Sequence, residues 1–212
     1  MLHKPGGVAS ATSGGGCFVL LDWSALKGGL AMKGMVFNIF ESLVEEKFGD
    51  DMLEEIYDQA ELSNDVPPFV GPLSYPDSYL FSMIGVLSEK TGLPVNDLVY
   101  EFGRYTFPVF VKNFPDLFDN IGTCFDFLKD VDNIHEIEVK KIFEEAIPPR
   151  IMFTYIDESR ATVKYFSERK LCRMFEGLLE ELAAYCEEGL ALTQTECMHN
   201  GAPECVYEIE LS

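Results

Sequence analysis

The stretch IPPRIMFTYIDESRATVKYFSERK, residues 147–170, marks a change in the hydrophobic period of the chain. Before it, apolar residues recur at helical spacing. Within it they alternate around Asp157–Arg160, which predicts a β-hairpin. Pro148 and Pro149 stand at the change, where a helix is expected to end. An all-helical N-terminal part therefore meets a mixed C-terminal part near Pro148, and the predicted fold class is α+β.

Helical spacing predicts a first helix that starts at Met35 and stops at Gly49, and a second that starts at Asp50. After the first hairpin, the pattern predicts one more helix and then a second hairpin around Asn200–Gly201. Between these regions, further helices are predicted over roughly 77–90, 94–105, 106–113 and 120–146.

The N-terminal stretch, residues 1–31, is rich in glycine and serine and has no helical period. We expect a disordered extension or leader there. A signal peptide is not expected, because the apolar core is short and is followed by Asp22. The folded part, residues 32–212, is expected to divide into a helical part, 32–147, and a mixed part, 148–212.

The balance of charges is strongly negative. The chain of 212 residues has 16 lysines and arginines against 36 aspartates and glutamates, a formal net charge of −20. Nucleic acids and anionic membranes are bound by basic faces, so neither is expected as a partner. No apolar run reaches the ~18 residues that span a bilayer. Without a secretory signal, the six cysteines are expected to be free or metal-bound in a reducing cytoplasm.

His135 lies on the apolar stripe of its predicted helix, seven residues after Leu128 and four after Val131. One interpretation is a buried core histidine. The other is an imidazole that faces an apolar pocket, as a proximal haem ligand does. The segment HEIEV lacks the second histidine of the HExxH motif, so the sequence does not indicate a zinc peptidase.

Tyr165, Ser167 and Arg169 stand at positions i, i+2 and i+4 in the stretch YFSERK. Two hydroxyls and a guanidinium are groups that bind an anion. The alternative is a turn at the end of the strand, in which Ser167 caps the following helix. That alternative explains the serine but not the tyrosine and arginine beside it.

From Met32 to Ser212, the sequence resembles the H-NOX (haem-nitric oxide/oxygen-binding) family, as a stand-alone bacterial member. Three stretches occur in the family's order, and the last matches its Y-x-S-x-R motif. They are MKGMVFNIFESLVEEKFGDD, FLKDVDNIHEIEVKKIFEEAIPPRI and YFSERK. The resemblance implies haem b between the helical and mixed parts.

By this resemblance, His135 is the proximal ligand of the haem iron, and Pro149 packs against the macrocycle and distorts it. Tyr165, Ser167 and Arg169 bind the haem propionates. The anion that the polar triplet would hold is therefore a pair of carboxylates on an otherwise apolar cofactor.

Oxygen-binding members of the family place a tyrosine on the helix after the Y-x-S-x-R motif and a tryptophan on the first helix. The matching positions here hold Met174 and Phe40. Neither donates a strong hydrogen bond, which bound dioxygen needs and NO does not. The resemblance thus implies a sensor selective for NO that also binds CO. The alternative is that another polar group reaches the distal face.

Cys172, Cys197 and Cys205 match the cysteine-rich zinc or redox site of some bacterial members. Three thiols and the imidazole of His199 would make a complete tetrahedral zinc set. The family's own histidine aligns with Gln194, so His199 is the expected substitute. The alternative is three ordinary reduced cysteines.

The resemblance implies a non-enzymatic gas sensor. It would signal in trans to a histidine kinase or to a cyclic-di-GMP enzyme, either a diguanylate cyclase or a phosphodiesterase. A second hypothesis is a zinc or thiol redox sensor with haem as a secondary input. A third is a haem enzyme such as an oxidase, against which the sequence offers no nucleophile–base pair, P-loop or acid/base dyad.

Overall fold

Two antiparallel sheets and the helices packed on them make up the part of the chain that the computed structural model describes, residues 30–119, 121–142 and 146–212. The helices are α1 (Gly34–Phe48), α2 (Asp50–Gln59), α3 (Asp77–Thr91), α4 (Val95–Asn113), α5 (Cys124–Ile134), α6 (Lys140–Ile142) and α7 (Cys172–Tyr185). The strands are β1 (Ala31–Lys33), β2 (Ser74–Pro76), β3 (Arg150–Tyr155), β4 (Arg160–Phe166), β5 (Leu190–Glu196) and β6 (Cys205–Leu211).

The larger sheet has the strand order β3-β4-β6-β5, and every neighbouring pair is antiparallel. Tyr165 on β4 lies opposite Ile151 on one side and Cys205 on the other. This sheet confirms the α+β class. The smaller sheet pairs β1 with β2 over three residues each and was not predicted, because strands this short carry no readable alternation.

Two predicted helix boundaries are wrong. Helix α4 runs through Pro108, where the sequence predicted a break between two helices. The helix is packed along most of its length, and this tertiary packing outweighs the ~3 kcal/mol that an interior proline costs. The helix predicted over 120–146 starts only after the capping box of Thr123 and Asp126. Its α-helical part ends at Ile134, and a π-helical segment follows.

The buried apolar side chains form two clusters. One joins α1, α2 and α3 to the first half of α4, and the other joins α5, α7 and the larger sheet to the second half of α4. The change from one cluster to the other falls on α4 between Phe102 and Phe107. This is a different kind of division from the predicted one near Pro148, which separates helical from mixed secondary structure. Sequence period changes where helices give way to strands, but packing partners change where the chain crosses between layers.

Helices α4 and α7 touch at two glycines. A Cβ added to Gly103 would stand 2.1 Å from the carbonyl oxygen of Met174, and one added to Gly177 would stand 2.2 Å from that of Tyr100. Each distance is far below van der Waals contact. The two backbones therefore pack directly on each other, which sets the position of Met174 on α7.

Most of the expected leader, residues 1–29, lies outside the described residues. Leu30 and Ala31 belong to the fold: Ala31 starts β1, and the carbonyl of Leu30 accepts the Asp77 N–H at 3.1 Å. The ordered chain thus includes residues before Met32. None of the helices in the described ranges is both long and apolar enough to cross a membrane.

Candidate functional site

A largely apolar cavity of about 330 Å³ lies where α4, α5 and α7 meet the start of α1. Its volume falls in the range of small-molecule sites. It brings together all but one of the residues predicted for a haem site. Those that line it are His135, Pro149, Tyr165, Ser167, Arg169 and Met174.

His135 presents a neutral imidazole to this cavity. Its Nδ1 lies 3.2 Å from the carbonyl oxygen of Pro149. Because a carbonyl only accepts, Nδ1 carries the proton and Nε2 keeps its lone pair for a metal. Burial lowers the pKa of His135, which favours the neutral form that ligates iron.

The backbone around His135 is unusual. The residues His135–Val139 form a π-helical segment directly after α5. Such segments are rare in proteins, and those that occur often lie at functional sites. Three residues before the histidine, the Oδ1 of Asp132 accepts the N–H of Ile151 at 3.1 Å. The helix that carries His135 is therefore tied to β3 by one side chain, a link that the sequence analysis did not foresee.

Arg169 joins three separate segments of the chain. Its Nε donates to Asp77 Oδ2 at 2.7 Å, its Nη1 to the carbonyl of Ile147 at 2.7 Å, and its Nη2 to the carbonyl of Ala31 at 2.8 Å. A guanidinium has five N–H donors, so one N–H on each Nη remains for a ligand. Only 8% of the arginine is exposed, and these bonds therefore orient it firmly at the cavity edge.

Asp77 is the site residue that sequence reasoning missed. It is buried beside Arg169, and burial raises the pKa of its carboxyl even though the arginine favours the charged form. Its Oδ1 has no hydrogen-bond partner among the residues described. In the sequence, Asp77 follows Pro76 at a helix start, where an acidic residue is ordinary. Only the fold brings it to an arginine 92 positions away.

The YFSERK turn does not cap α7. Ser167 Oγ accepts the N–H of Arg169 at 3.3 Å, while α7 starts at Cys172 with no side-chain cap on the preceding residue. The alternative that Ser167 caps the following helix is therefore wrong. Tyr165 is stacked on Phe175 with ring centroids 4.8 Å apart, and burial raises the pKa of its hydroxyl, so it stays protonated.

Met174 lines the cavity as predicted, but Phe40 does not. Phe40 is fully buried in the helical cluster, edge-on to Phe102 with centroids 5.4 Å apart. The α1 residues that reach the cavity are Met35 and Val36. The contributions of α1, α4 and α7 to the cavity wall are apolar throughout.

The three predicted thiols do come together. The Sγ atoms of Cys172, Cys197 and Cys205 lie within 4.8 Å of one another, with 4.0 Å between the first two. All three residues are buried. The neighbouring Cys172 thiol lowers the pKa of Cys205, and the Met198 N–H, which donates to Cys205 Sγ at 3.3 Å, lowers it further.

The structure does not bring the expected fourth ligand to the three thiols. His199 is not brought into the thiol cluster, because its Nε2 lies 2.8 Å from the carbonyl of Lys170 in the YFSERK turn. Gln194 is also committed elsewhere: its Nε2 donates to the Tyr207 hydroxyl at 2.9 Å. Tyr207 donates in turn to Glu176 at 3.2 Å. Gln194 therefore belongs to a hydrogen-bonded network with Tyr207 and Glu176.

The Haem-NO-binding family model matches residues 33–194. The chain belongs to this family. An H-NOX protein from S. oneidensis in the Fe(II)NO ligation state is similar, with 28% identity, a TM-score of 0.80, and coverage of 85% of this chain and 99% of that one. The SO2144 H-NOX domain from Shewanella oneidensis, in the Fe(II)CO state, has 28% identity and a TM-score of 0.77 over 85% and 99%.

An Fe(II) unliganded H-NOX protein from K. algicida is also similar, with 25% identity and a TM-score of 0.78 over 85% of this chain and 97% of that one. Among curated protein sequences, none matches this chain. H-NOX domains are haem-binding sensor domains, and this cavity fits such a cofactor. Its walls are apolar, a neutral histidine lines it, and cationic and hydroxyl donors meet at its edge.

Proposed function

We propose that this H-NOX chain is a haem-based sensor selective for NO, which signals in trans to a separate protein. The observation that carries the proposal is the cavity itself. A neutral histidine and the three polar side chains of the Y-x-S-x-R motif stand at different places in one apolar wall. That is the donor set that a flat, apolar dicarboxylate with a metal centre needs.

In this proposal His135 ligates the iron through Nε2. The free Nη N–H groups of Arg169 and the hydroxyls of Tyr165 and Ser167 bind the propionates, and Pro149 packs on the macrocycle. The haem b iron supplies the coordination position for a diatomic gas. Asp77 accepts a hydrogen bond from Arg169 Nε, so the remaining N–H on each Nη can bind the carboxylates.

The preference for NO rests on the apolar wall at α1, α4 and α7. Met174 and its neighbours Met35 and Val36 have no N–H or O–H to offer a bound dioxygen. NO and CO do not depend on such a donor. The proposed ligands are therefore NO and CO.

The signal is proposed to leave through the two contacts around His135. The imidazole is bonded to Pro149 at 3.2 Å, and Asp132 holds the N–H of Ile151 at 3.1 Å. A displacement of the histidine therefore acts on the start of β3. By family resemblance, the receiving partner is a histidine kinase, a diguanylate cyclase or a phosphodiesterase. A cytoplasmic location is proposed because Cys124, Cys186 and the three clustered cysteines are all free thiols.

One set of spectra tests the proposal. The purified protein is reduced without air and then exposed to NO, CO and air in separate samples. We expect a strong Soret band that shifts with NO and with CO, and no stable dioxygen spectrum. Protein without a Soret band after haem supplementation would contradict the cofactor, and a long-lived dioxygen spectrum would contradict the selectivity.

A second function, a zinc or thiol redox site, is supported by the three Sγ atoms within 4.8 Å of one another. Thiolates at such spacing bind zinc. Metal analysis under reducing conditions should find about one zinc per chain. Cys197→Ala should remove the metal, whereas Cys124→Ala, which lies outside the cluster, should keep it. Folded wild-type protein that binds no added zinc would end this proposal.

A further inference from the structure

The two edges of the larger sheet are built differently. The edge strand β5 has an irregular register between Gln194 and Glu196 and no exposed large apolar side chain within its described residues. Such a bulge protects an edge from further pairing. The other edge strand, β3, pairs with β4 in unbroken register. The edge at β3 therefore lacks the device that protects the edge at β5.

After the exposed Arg150 at its start, the β3 edge is largely apolar and carries no charge. From Ile151 to Ile156 the sequence IMFTYI carries no charged side chain. Met152, Tyr155 and Ile156 are 39%, 50% and 54% exposed. Exposed apolar side chains in one short segment mark an interaction surface more often than scattered ones do.

The backbone of β3 offers free hydrogen-bonding groups. The Ile156 N–H donates to Arg160 on the β4 side, and alternate residues point their N–H groups to opposite sides of a strand. Ile151, Phe153 and Tyr155 therefore point theirs away from β4. The Ile151 N–H is taken by Asp132. Within the described ranges, the N–H groups of Phe153 and Tyr155 have no partner.

Exposed charges of both signs lie on the elements around this edge, since α5 carries Lys129 beside Asp130, and β3 starts at Arg150. Helix α5 follows β3, since Asp132 contacts Ile151 and the Phe125 ring lies 5.2 Å from Phe153. Asp130, on the exposed side of α5, and Glu158, at the tip of the hairpin, are both exposed to solvent. The chain as a whole carries a net charge of −20. A strand added here would therefore meet apolar side chains on a protein whose overall charge is strongly negative, which favours a basic partner.

We propose that β3 is a docking edge for an extended, basic segment of a partner protein, which pairs with Phe153 and Tyr155 as a fifth strand of the sheet. That a partner exists rests on the proposed function, but the edge itself does not depend on haem. Asp132 lies three residues before His135 and already occupies the next edge N–H. Helix α5 thus contacts the docking edge through Asp132 and leads directly into the proposed iron ligand, His135.

The test uses a fluorescently labelled eight-residue peptide of alternating valine and lysine, titrated with the haem-supplemented full chain at physiological ionic strength. Tyr155→Pro removes an edge N–H and should weaken binding by about tenfold, the equivalent of one lost hydrogen bond of about 1.4 kcal/mol. Tyr155→Ala keeps the N–H and removes the same ring, so it is the matched control and should change binding by less than about threefold.

Two further measurements need only the wild-type chain. A peptide N-methylated at alternate residues cannot donate to the edge and should not bind. A peptide with glutamate in place of lysine should bind at least about tenfold more weakly, because it meets a protein whose overall charge is strongly negative. Equal effects of Tyr155→Pro and Tyr155→Ala, binding of the N-methylated peptide, or no binding at all would each overturn the proposal. So would self-association through β3, measured by sedimentation, in place of peptide binding.

This outcome is separable from that of the proposed function. Peptide binding that depends on the Tyr155 N–H in a chain without gas-sensitive spectra would keep the docking edge and reject the sensor. Gas-sensitive spectra without peptide binding would do the reverse.

Discussion

Helices α5 and α7 both line the cavity, but they are held in different ways. Helix α7 is pressed against α4 by Gly103 and Gly177, whose added Cβ atoms would stand 2.1 and 2.2 Å from backbone oxygens. Its first residue, Cys172, lies in the thiol cluster. There is no room for α7 to approach α4 further, and its cavity-facing residue Met174 is fixed accordingly.

Helix α5 is fastened at its start and less regular at its end. The capping box at Thr123 and the bond from the Cys124 N–H to Glu188 at 2.7 Å hold the first turn. At the other end, the π-helical segment from His135 replaces the α-helical ladder. The comparison teaches that the proposed iron ligand sits where its helix is least regular, whereas the proposed gas-facing residue sits on a helix packed backbone to backbone against its neighbour.

The largest effect is expected from removing the side chain at the end of α5 that is the proposed iron ligand. His135→Gly removes the imidazole that lines the cavity, so we expect the reduced haem-loaded protein to lose its axial histidine signature. Added imidazole should restore a five-coordinate ferrous spectrum. His199→Gly is the control, because that ring is bonded to Lys170 away from the cavity. A wild-type signature in His135→Gly without imidazole would refute the assignment.

The next effect concerns the turn that leads into α7. Arg169→Ala removes the proposed charge-assisted partner of the propionates, which should cost about 1.5–3 kcal/mol and correspond to a haem dissociation rate about 10 to 100 times higher. Lys170→Ala is the neighbouring control and should leave the rate unchanged. Haem transfer to apomyoglobin measures both. Equal rates in the two variants would remove Arg169 from the site.

A third change tests the backbone-to-backbone packing of α7 on α4. Gly103→Ala forces a Cβ into the Met174 carbonyl, so we expect a loss of about 1–3 kcal/mol in the free energy of unfolding. Gly85→Ala, in α3, meets no atom within 4 Å and should gain up to about 1 kcal/mol from helix propensity. Urea denaturation compares them. Changes of the same sign at both positions would contradict the close contact of α4 and α7.

The smallest effect concerns the gas that the α7 wall admits. Met174→Tyr places a hydroxyl in the cavity and should allow partial dioxygen binding in air, while Met174→Phe, of similar shape without the hydroxyl, should not. Dioxygen binding should be only partial because Phe40, which packs on Phe102 away from the cavity, supplies no second hydrogen-bond donor. Spectra of the reduced variants in air decide. Equal behaviour of the two variants would show that a hydroxyl at this position does not control dioxygen binding.

Local sequence patterns predicted much of this protein's secondary structure and its candidate site residues. The alternation in residues 150–166 predicted the first hairpin. The apolar stripe through Leu128 and Val131 put His135 on the apolar side of its helix, but it left open whether the ring is a core histidine or faces a pocket. The Y-x-S-x-R triplet predicted an anion site from its donors alone. The hairpin is confirmed, whereas the anion site stays a prediction. Both could be inferred because period and side-chain chemistry are properties of neighbouring residues, which a sequence displays directly.

Other features depend on distant segments. Asp77 contacts Arg169 across 92 positions, and the reciprocal glycines of α4 and α7 have meaning only where the helices cross. His199 was expected as a zinc ligand because its residue type completes the set, yet its Nε2 lies beside the carbonyl of Lys170. Phe40 aligns with a distal position, yet it packs inside the helical cluster.

The sequence by itself therefore determined the α+β class. It also singled out His135, the polar triplet and the three cysteines as candidate site residues. Only the tertiary structure decided which of these groups share a cavity and which sheet edge is unpaired. It also decided that α4 continues through Pro108. The physical reason is that propensity and periodicity act over a few residues. The direction of a side chain and the partner that it meets are set by packing between segments far apart in the chain.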